Sequence, residues 1–274
     1  MNAIRLGDIT LGGGEPFFIA GPCVIESEDH AVHLAGMLRD IFRHLGRSFI
    51  FKASYDKANR SSVRSFRGPG PAEGLRILAR IRREFDLPIL TDVHDCGQVA
   101  AAAEVADILQ VPAFLSRQTD LLLAVGAAGR VVNVKKGQFL APWDMANVVD
   151  KIRSTGNSRI LLTERGFTFG YNNLVVDFRS LAIMRRLGCP VVFDATHSVQ
   201  LPGGAGCASG GEAEYIQPLA RAAVACGVDG LFFEVHDDPA HALCDGPNAF
   251  PIQSFEAFVR RLLDIHRAAH GGES

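Results

Sequence analysis

Short apolar runs alternate with helical periodicity along almost the whole chain, and few folds satisfy that alternation. Phe17-Phe18-Ile19-Ala20 opens the series as a buried strand. Asp29–Leu45 follows, with Leu34, Met37, Leu38, Ile41, Phe42 and Leu45 at the spacing of one helical face. The pair then repeats. Strand Phe49–Ala53 precedes a helix marked by Leu75, Leu78, Ile81 and Phe85, and strand Pro88–Val93 precedes helix Gln98–Ala106. Strand Ile108–Val111 leads to helix Gln118–Ala128, and strand Val131–Lys135 to helix Pro142–Thr155. Strand Arg159–Thr163 leads to helix Phe178–Leu187, strand Val191–Asp194 to helix Glu212–Cys226, and strand Gly230–Val235 to helix Ser254–Ala269. Strands this short and uniformly apolar suit a parallel sheet covered on both faces. Eight strand–helix units in 274 residues, with no linker or composition shift, predict an α/β fold: one (β/α)8 TIM barrel domain over 1–274. Ile4-Arg5-Leu6 and Ile9-Thr10-Leu11 flank Gly7-Asp8 and add a short N-terminal β-hairpin. A doubly wound open sheet is the alternative, but it usually has fewer strands, and no G-x-G-x-x-G opens a helix here.

A barrel presents its functional groups at the C-terminal ends of its strands and in the loops that follow. Polar residues fall at all eight such places: Cys23 and Glu26, Lys52, Asp92 and His94, Gln110, Asn133 and Lys135, Glu164 and Arg165, Asp194 and His197, Glu234 and His236. A purely structural barrel has little use for ionisable groups at every strand end. The pattern therefore favours an enzyme over a binding module or scaffold.

Two chemical sets emerge. Lys52 to Ser62 reads K-A-S-Y-D-K-A-N-R-S-S and leaves a strand end with two ammonium groups, a guanidinium fork and neutral donors at Asn59, Ser61 and Ser62. With Arg117, Lys135 and Arg165 from other strand ends, Lys52, Lys57 and Arg60 can converge on more than one anionic group. A rim cation can equally pair with a carboxylate, which is the reading composition favours for Arg117 and Lys136. The formal net charge is -2, without a basic tail, which argues against a nucleic-acid partner and for small, phosphorylated ligands. The second set is Cys23, His197, Glu234 and Asp245, with His94 and His236 as weaker candidates. One thiolate, one imidazole and two carboxylates suit a divalent Zn²⁺, Mn²⁺ or Fe²⁺ ion.

Two long loops stand out in an otherwise economical chain. One runs from Arg60 to Pro71; the other, Gly203–Gly211, is built of small residues after the seventh strand and reads as an active-site lid. No apolar run approaches the roughly 18 residues of a membrane span. Met1–Pro16 lacks a signal-peptide apolar core, and the six scattered cysteines include no C-x-x-C pair. A cytoplasmic, membrane-free protein with reduced thiols is the expectation.

The motifs resemble those of the 3-deoxy-D-manno-octulosonate 8-phosphate synthase (2-dehydro-3-deoxyphosphooctonate aldolase) family. They are Gly21-Pro22-Cys23, Phe51-Lys52-Ala53-Ser54, Lys57-Ala58-Asn59-Arg60-Ser61-Ser62, the run Pro112 to Asp120, and Asn133-Val134-Lys135-Lys136-Gly137-Gln138-Phe139. Thr163-Glu164-Arg165-Gly166, Phe169 to Leu174, Asp194 to Gln200 and Asp245-Gly246-Pro247 continue the likeness, which runs from about Phe17 to Leu263. The resemblance implies a (β/α)8 barrel, usually a homotetramer, that condenses phosphoenolpyruvate with D-arabinose 5-phosphate and water for lipopolysaccharide synthesis. It implies phosphoenolpyruvate on Lys52, Lys57, Lys135, Arg165 and the Ala113 backbone, supported by Arg117. It implies arabinose 5-phosphate on Asn59, Arg60, Ser61 and Asp92, with Gln110 as a further substrate contact. Cys23, His197, Glu234 and Asp245 resemble the metal ligands, and with Lys57 they form the implied catalytic set. Family members with Asn at the Cys23 position are metal-free, so Cys23 resembles the metal-dependent branch. The related seven-carbon heptulosonate phosphate synthases, which use erythrose 4-phosphate, carry Lys-Pro-Arg where this chain has Lys57-Ala58-Asn59-Arg60. The extra residues favour the eight-carbon product. A non-catalytic anion-binding barrel is the remaining alternative.

Overall fold

The computed structural model describes residues 3–203 and 210–271. The chain begins with β1 (Ile4–Leu6) and β2 (Ile9–Leu11), antiparallel about Gly7-Asp8, where Gly7 takes a φ of 55° that favours glycine. Eight parallel strands then close a barrel among the described residues: β3 (Phe17–Gly21), β4 (Ile50–Lys52), β5 (Ile89–Asp92), β6 (Ile108–Val111), β7 (Val131–Lys135), β8 (Ile160–Glu164), β11 (Val191–Asp194) and β14 (Gly230–His236). Closure is made where β14 pairs with both β11 and β3, in registers Val192↔Gly230 and Gly230↔Phe17. Small antiparallel pairs decorate the C-terminal mouth, β9 (Phe167–Thr168) with β10 (Leu174–Val175) and β12 (Gln200–Leu201) with β13 (Gly210–Gly211); β15 (Phe250–Pro251) pairs in parallel with the end of β14.

The covering helices are α1 (Glu28–His44), α2 (Pro71–Phe85), α3 (Cys96–Val105), α4 (Thr119–Ala127), α5 (Met145–Arg153), α6 (Arg179–Arg185), α7 (Ile216–Ala225) and α8 (Ile252–His270). Local chemistry sets several starts. Ser27 caps α1 by accepting the His30 N–H at 3.1 Å, and Asp95 caps α3 through the Gln98 N–H at 3.2 Å. Pro71 opens α2, where its missing N–H costs nothing. The predicted helices Pro142–Thr155 and Glu212–Cys226 each begin as a 3₁₀ turn, Pro142–Asp144 and Ala213–Tyr215, before the α-helix sets in. Of the predicted lid, Gly203 and Gly210-Gly211 are described, and residues 204–209 lie outside the described residues.

Strand alternation divides the barrel interior into two levels. At the lower level Ile19, Ile50, Leu90, Ile108, Val131, Leu161, Val192 and Phe232 pack together, with Ile4, Ile9 and Leu11 of the hairpin closing the bottom. Two residues further along the same strands come Gly21, Lys52, Asp92, Gln110, Asn133, Thr163, Asp194 and Glu234. An apolar plug thus carries a polar layer at the mouth. Intervening residues such as Phe18, Phe51, Val132 and Phe233 face outward into the core under the helices.

One close approach tests this packing. Gly74 lies in α2 against the fully buried Tyr55, and a Cβ there would stand 2.2 Å from the Tyr55 Cβ. In an open helix Gly→Ala stabilises by about 1 kcal/mol. Here the sign reverses: Gly74→Ala is expected to lower stability by about 1–3 kcal/mol through overpacking. Urea unfolding of both proteins at neutral pH reads it, and an unchanged or raised midpoint contradicts the packing.

Candidate active site and metal centre

The polar layer opens into a cavity of about 330 Å³ at the barrel mouth. Lys52, Lys57, Arg60, Lys135 and Arg165 line it, with Asn59, Ser61, Asp92, His94, Gln110, Ala113, Gln138, His197, Gln200 and Asp245. The cations arrive from β4 and its loop, from β7 and from the end of β8, so strand closure concentrates positive charge drawn from distant parts of the chain.

Buried charge of this density needs partners. Glu234, 1% exposed, sits at the centre of the network. Its Oε1 lies 3.1 Å from Lys52 Nζ, 3.4 Å from Lys57 Nζ and 3.3 Å from His197 Nε2. Burial alone would raise the Glu234 pKa; His197, Lys57 and Lys52 outweigh it and hold the group well below the usual carboxylate range. Lys52 also donates to the Cys23 carbonyl at 2.9 Å. Burial likewise opposes the Lys57 charge, yet the Glu234 carboxylate beside it holds the ammonium above its ordinary pKa. Lys135 donates to Asp194 Oδ2 at 2.6 Å and lies 4.0 Å above the Phe232 ring. For Lys135 burial wins and its pKa falls. Burial also lowers Arg165, whose Nη2 donates to Gln200 Oε1 at 2.8 Å while its buried Nη1 has no partner.

A polar relay runs round the other wall. Ser54 and Gln110 donate to Asp92, Asn133 Nδ2 donates to Gln110 Oε1 at 2.8 Å, and Thr163 donates to Asn133 Oδ1 at 2.7 Å. These bonds fix the Asp92 carboxylate at the cavity wall. Burial works against its charge, but Lys52, Lys57 and His94 hold Asp92 below the carboxylate range.

The four residues of the predicted metal set come together beside this cavity. His197, Glu234 and Asp245 offer ligand atoms within 4.8 Å of one another, and Asp245 does the same with Cys23 and Cys244. Cys23 Sγ is 3.4 Å from Asp245 Oδ2. Asp194 Oδ2 lies 2.7 Å from His197 Nδ1, the carboxylate–imidazole arrangement that leaves Nε2 free to ligate. Glu234 Oε2 is buried with no hydrogen-bond partner, which leaves one carboxylate acceptor open. Thiol, imidazole and two carboxylates suit a borderline divalent ion. Burial, with Cys244 beside it, pushes the Cys23 thiol well above its ordinary pKa; a bound cation would reverse that preference by favouring the thiolate.

Three predicted residues are placed elsewhere. Arg117 is exposed and lies outside the cavity of its own chain, because the 3₁₀ turn Ala113–Leu115 keeps Ala113 at the wall and carries Arg117 on to the rim. His94 lines the cavity but bonds with Gln98, 3.3 Å from Nδ1, away from the metal set. His236 turns toward Glu26 and His30. Lys136 makes the structural pair expected of it, 3.4 Å from Glu164 on the outer side of the barrel. The sequence reading missed Cys244, whose Sγ lies 2.7 Å from Cys23 Sγ, and gave no role to Gln138, Gln200 or Asp194 as the His197 partner. The adjacency of Cys244 to Asp245 was the available signal.

A profile of the DAHP synthetase I family matches residues 2–269. The chain is 60% identical over 271 residues to a 2-dehydro-3-deoxyphosphooctonate aldolase of Syntrophotalea carbinolica, covering 98% of each chain. It is 61% identical over 263 residues to the enzyme of that name from Geobacter sulfurreducens, covering 96% of this chain and 97% of the relative. With the Acidithiobacillus ferrooxidans protein of that name it shares 62% identity over 263 residues, 96% of this chain and 94% of the relative.

Asp92 provides a pH test independent of the metal ligands. A carboxyl held below its unfolded value of about 3.9 contributes stability that is present above about pH 4 and lost as pH falls further. Asp92→Asn is expected to cost about 1.5–3 kcal/mol at pH 7, with the gap to wild type narrowing below pH 4. Urea midpoints at pH 7 and pH 3.5 measure it; an equal gap at both pH values contradicts the assignment.

Proposed function

The chain belongs to the DAHP synthetase I family, and from that premise we propose that it condenses phosphoenolpyruvate with D-arabinose 5-phosphate and water. The products are 3-deoxy-D-manno-octulosonate 8-phosphate and inorganic phosphate, for lipopolysaccharide biosynthesis. The aldolases named above, near 60% identical over almost their full length, support this reading. The observation that carries it is the cavity floor: buried cations, with Arg165 Nη1 unpartnered and Lys135 and Arg165 depressed by burial, are completed by an anionic ligand.

Lys52, Lys57, Lys135, Arg165 and the Ala113 backbone take the carboxylate and phosphate of phosphoenolpyruvate. Arg60, Ser61 and Asn59 at the outer wall take the sugar phosphate, and Asp92, oriented by Gln110, takes sugar hydroxyls. The cations offset the repulsion between two phosphorylated reactants and hold them in one orientation. The C3 carbon of phosphoenolpyruvate attacks the sugar aldehyde, and Lys57 donates a proton to the developing alkoxide. Water adds at the cationic C2, and the phosphohemiketal breaks its C–O bond to release phosphate. Cys23, His197, Glu234 and Asp245 would hold a Zn²⁺, Mn²⁺ or Fe²⁺ ion, which supplies Lewis acidity near the aldehyde and water.

The seven-carbon reaction with erythrose 4-phosphate is less well supported, because Ala58 and Asn59 lengthen the segment that lines the sugar end of the cavity. Among the described residues no helix is long and apolar enough to cross a membrane, and five cysteines are free. Free thiols fit the cytoplasm. Exposed Phe114, Phe139, Trp143 and Phe169 around the mouth supply apolar surface for a homotetramer.

Phosphate release from phosphoenolpyruvate is expected with arabinose 5-phosphate and at most weakly with erythrose 4-phosphate; the reverse preference overturns the substrate assignment. Chelation should abolish activity and Mn²⁺ or Zn²⁺ restore it. Arg60→Ala should raise KM for the sugar phosphate about 10–100-fold, or about 1.4–2.8 kcal/mol, with little change for phosphoenolpyruvate. Lys57→Ala should lower kcat by about 10²–10⁴. Unchanged turnover removes Lys57 from the chemistry.

A further inference from the structure

A second group of metal-ligating side chains lies outside the cavity, where the first and last barrel strands meet. Glu26 follows β3, His30 is in the first turn of α1, and His236 ends β14. Each offers one ligand atom within 4.8 Å of the others. His236 is 7% exposed, and its Nε2 is buried without a hydrogen-bond partner; so is His30 Nδ1. Two orphaned imidazole nitrogens in one small cluster, both beside one carboxylate, require a physical account.

The distances supply one. His236 Nε2 lies 3.4 Å from Glu26 Oε1, and His30 Nδ1 lies 4.0 Å from Glu26 Oε2. The two rings stand 4.6 Å apart between centroids. These separations are long for hydrogen bonds, but ligands bound tetrahedrally at about 2.1 Å stand about 3.4 Å from one another. We propose that Glu26, His30 and His236 form a second divalent-cation site, for a borderline ion such as Zn²⁺ or Co²⁺, that ties the first strand–helix loop to the last strand.

The surrounding residues fit that role. Asp237 Oδ1 accepts from His30 Nε2 at 2.9 Å, which directs the Nδ1 lone pair to the cluster. The same oxygen lies 3.2 Å from His236 Nδ1, which also accepts the Asp238 N–H at 2.9 Å. Ion binding selects the tautomer with the proton on His236 Nδ1, exchanging the Asp238 bond for one to Asp237. Glu26 Oε1 accepts the Leu243 N–H at 2.7 Å, so Glu26 also anchors the loop that delivers Asp245 two residues later. Glu26 and His30 are partly exposed, so the cluster reaches solvent.

Metal content after equilibrium dialysis against buffered Zn²⁺ tests the site without an activity readout, so it stands or falls separately from the proposed reaction. Wild type should bind about two ions per chain, His30→Ala about one, Cys23→Ser about one, and the double variant close to none, each with a folded circular-dichroism spectrum. Cobalt-loaded Cys23→Ser should show a d–d spectrum without a thiolate charge-transfer band, and that spectrum should vanish with the added His30→Ala. If Cys23→Ser does not fold, wild type against His30→Ala alone decides. Equal metal content in those two proteins overturns the proposal and leaves the cluster a hydrogen-bonded contact only.

Discussion

The mouth of the barrel depends on one buried carboxylate. Glu234 is the shared counter-charge of Lys52, Lys57 and His197, at 3.1–3.4 Å from all three. Without it, two ammonium groups would sit unpaired above an apolar plug, a cost of several kcal/mol each in real proteins. A single carboxylate among three cationic or basic partners holds the cavity floor together without neutralising it. The remaining positive charge is available to an anionic ligand, and the second Glu234 oxygen is left without a hydrogen-bond partner.

The two halves of the site are mechanically coupled. The cations and the polar relay stand on strands, where packing on both faces limits their freedom. Asp245 stands on a loop and has a left-handed backbone, φ 51°, a conformation uncommon for residues other than glycine and tolerated by Asp. That geometry is maintained from several sides: Arg60 Nη1 lies 3.4 Å from Asp245 Oδ1, Cys244 packs on Cys23 and Val24, and Glu26 holds the Leu243 N–H. Arg60, which lines the cavity, is thereby tied to Asp245.

Much of this was legible in the residues. The pattern of an apolar residue followed two positions later by a polar one, Ile50 and Lys52, Leu90 and Asp92, Val192 and Asp194, Phe232 and Glu234, appears in the linear chain because strand side chains alternate. It located the barrel mouth and most of the cavity lining. It also separated Lys135 from Lys136: they are adjacent at a strand end, yet one enters the cavity and the other pairs with Glu164 outside. Which of two consecutive residues faces inward depends on where the strand register falls, and the neighbouring strands set that register.

Local periodicity and strand-end chemistry, both short-range properties, determined the barrel, its hairpin and the cationic segment Lys52 to Ser62 from sequence alone. The tertiary structure decided what closure brings together. Cys23, His197, Glu234 and Asp245 are separated by up to 222 residues, and only the pairing of β14 with β3 and β11 brings them to one point. The same closure turned His236 to Glu26 and His30, set Cys244 against Cys23, and left Arg117 on the rim. These outcomes depend on side-chain direction across non-neighbouring elements, and a linear pattern does not encode that direction.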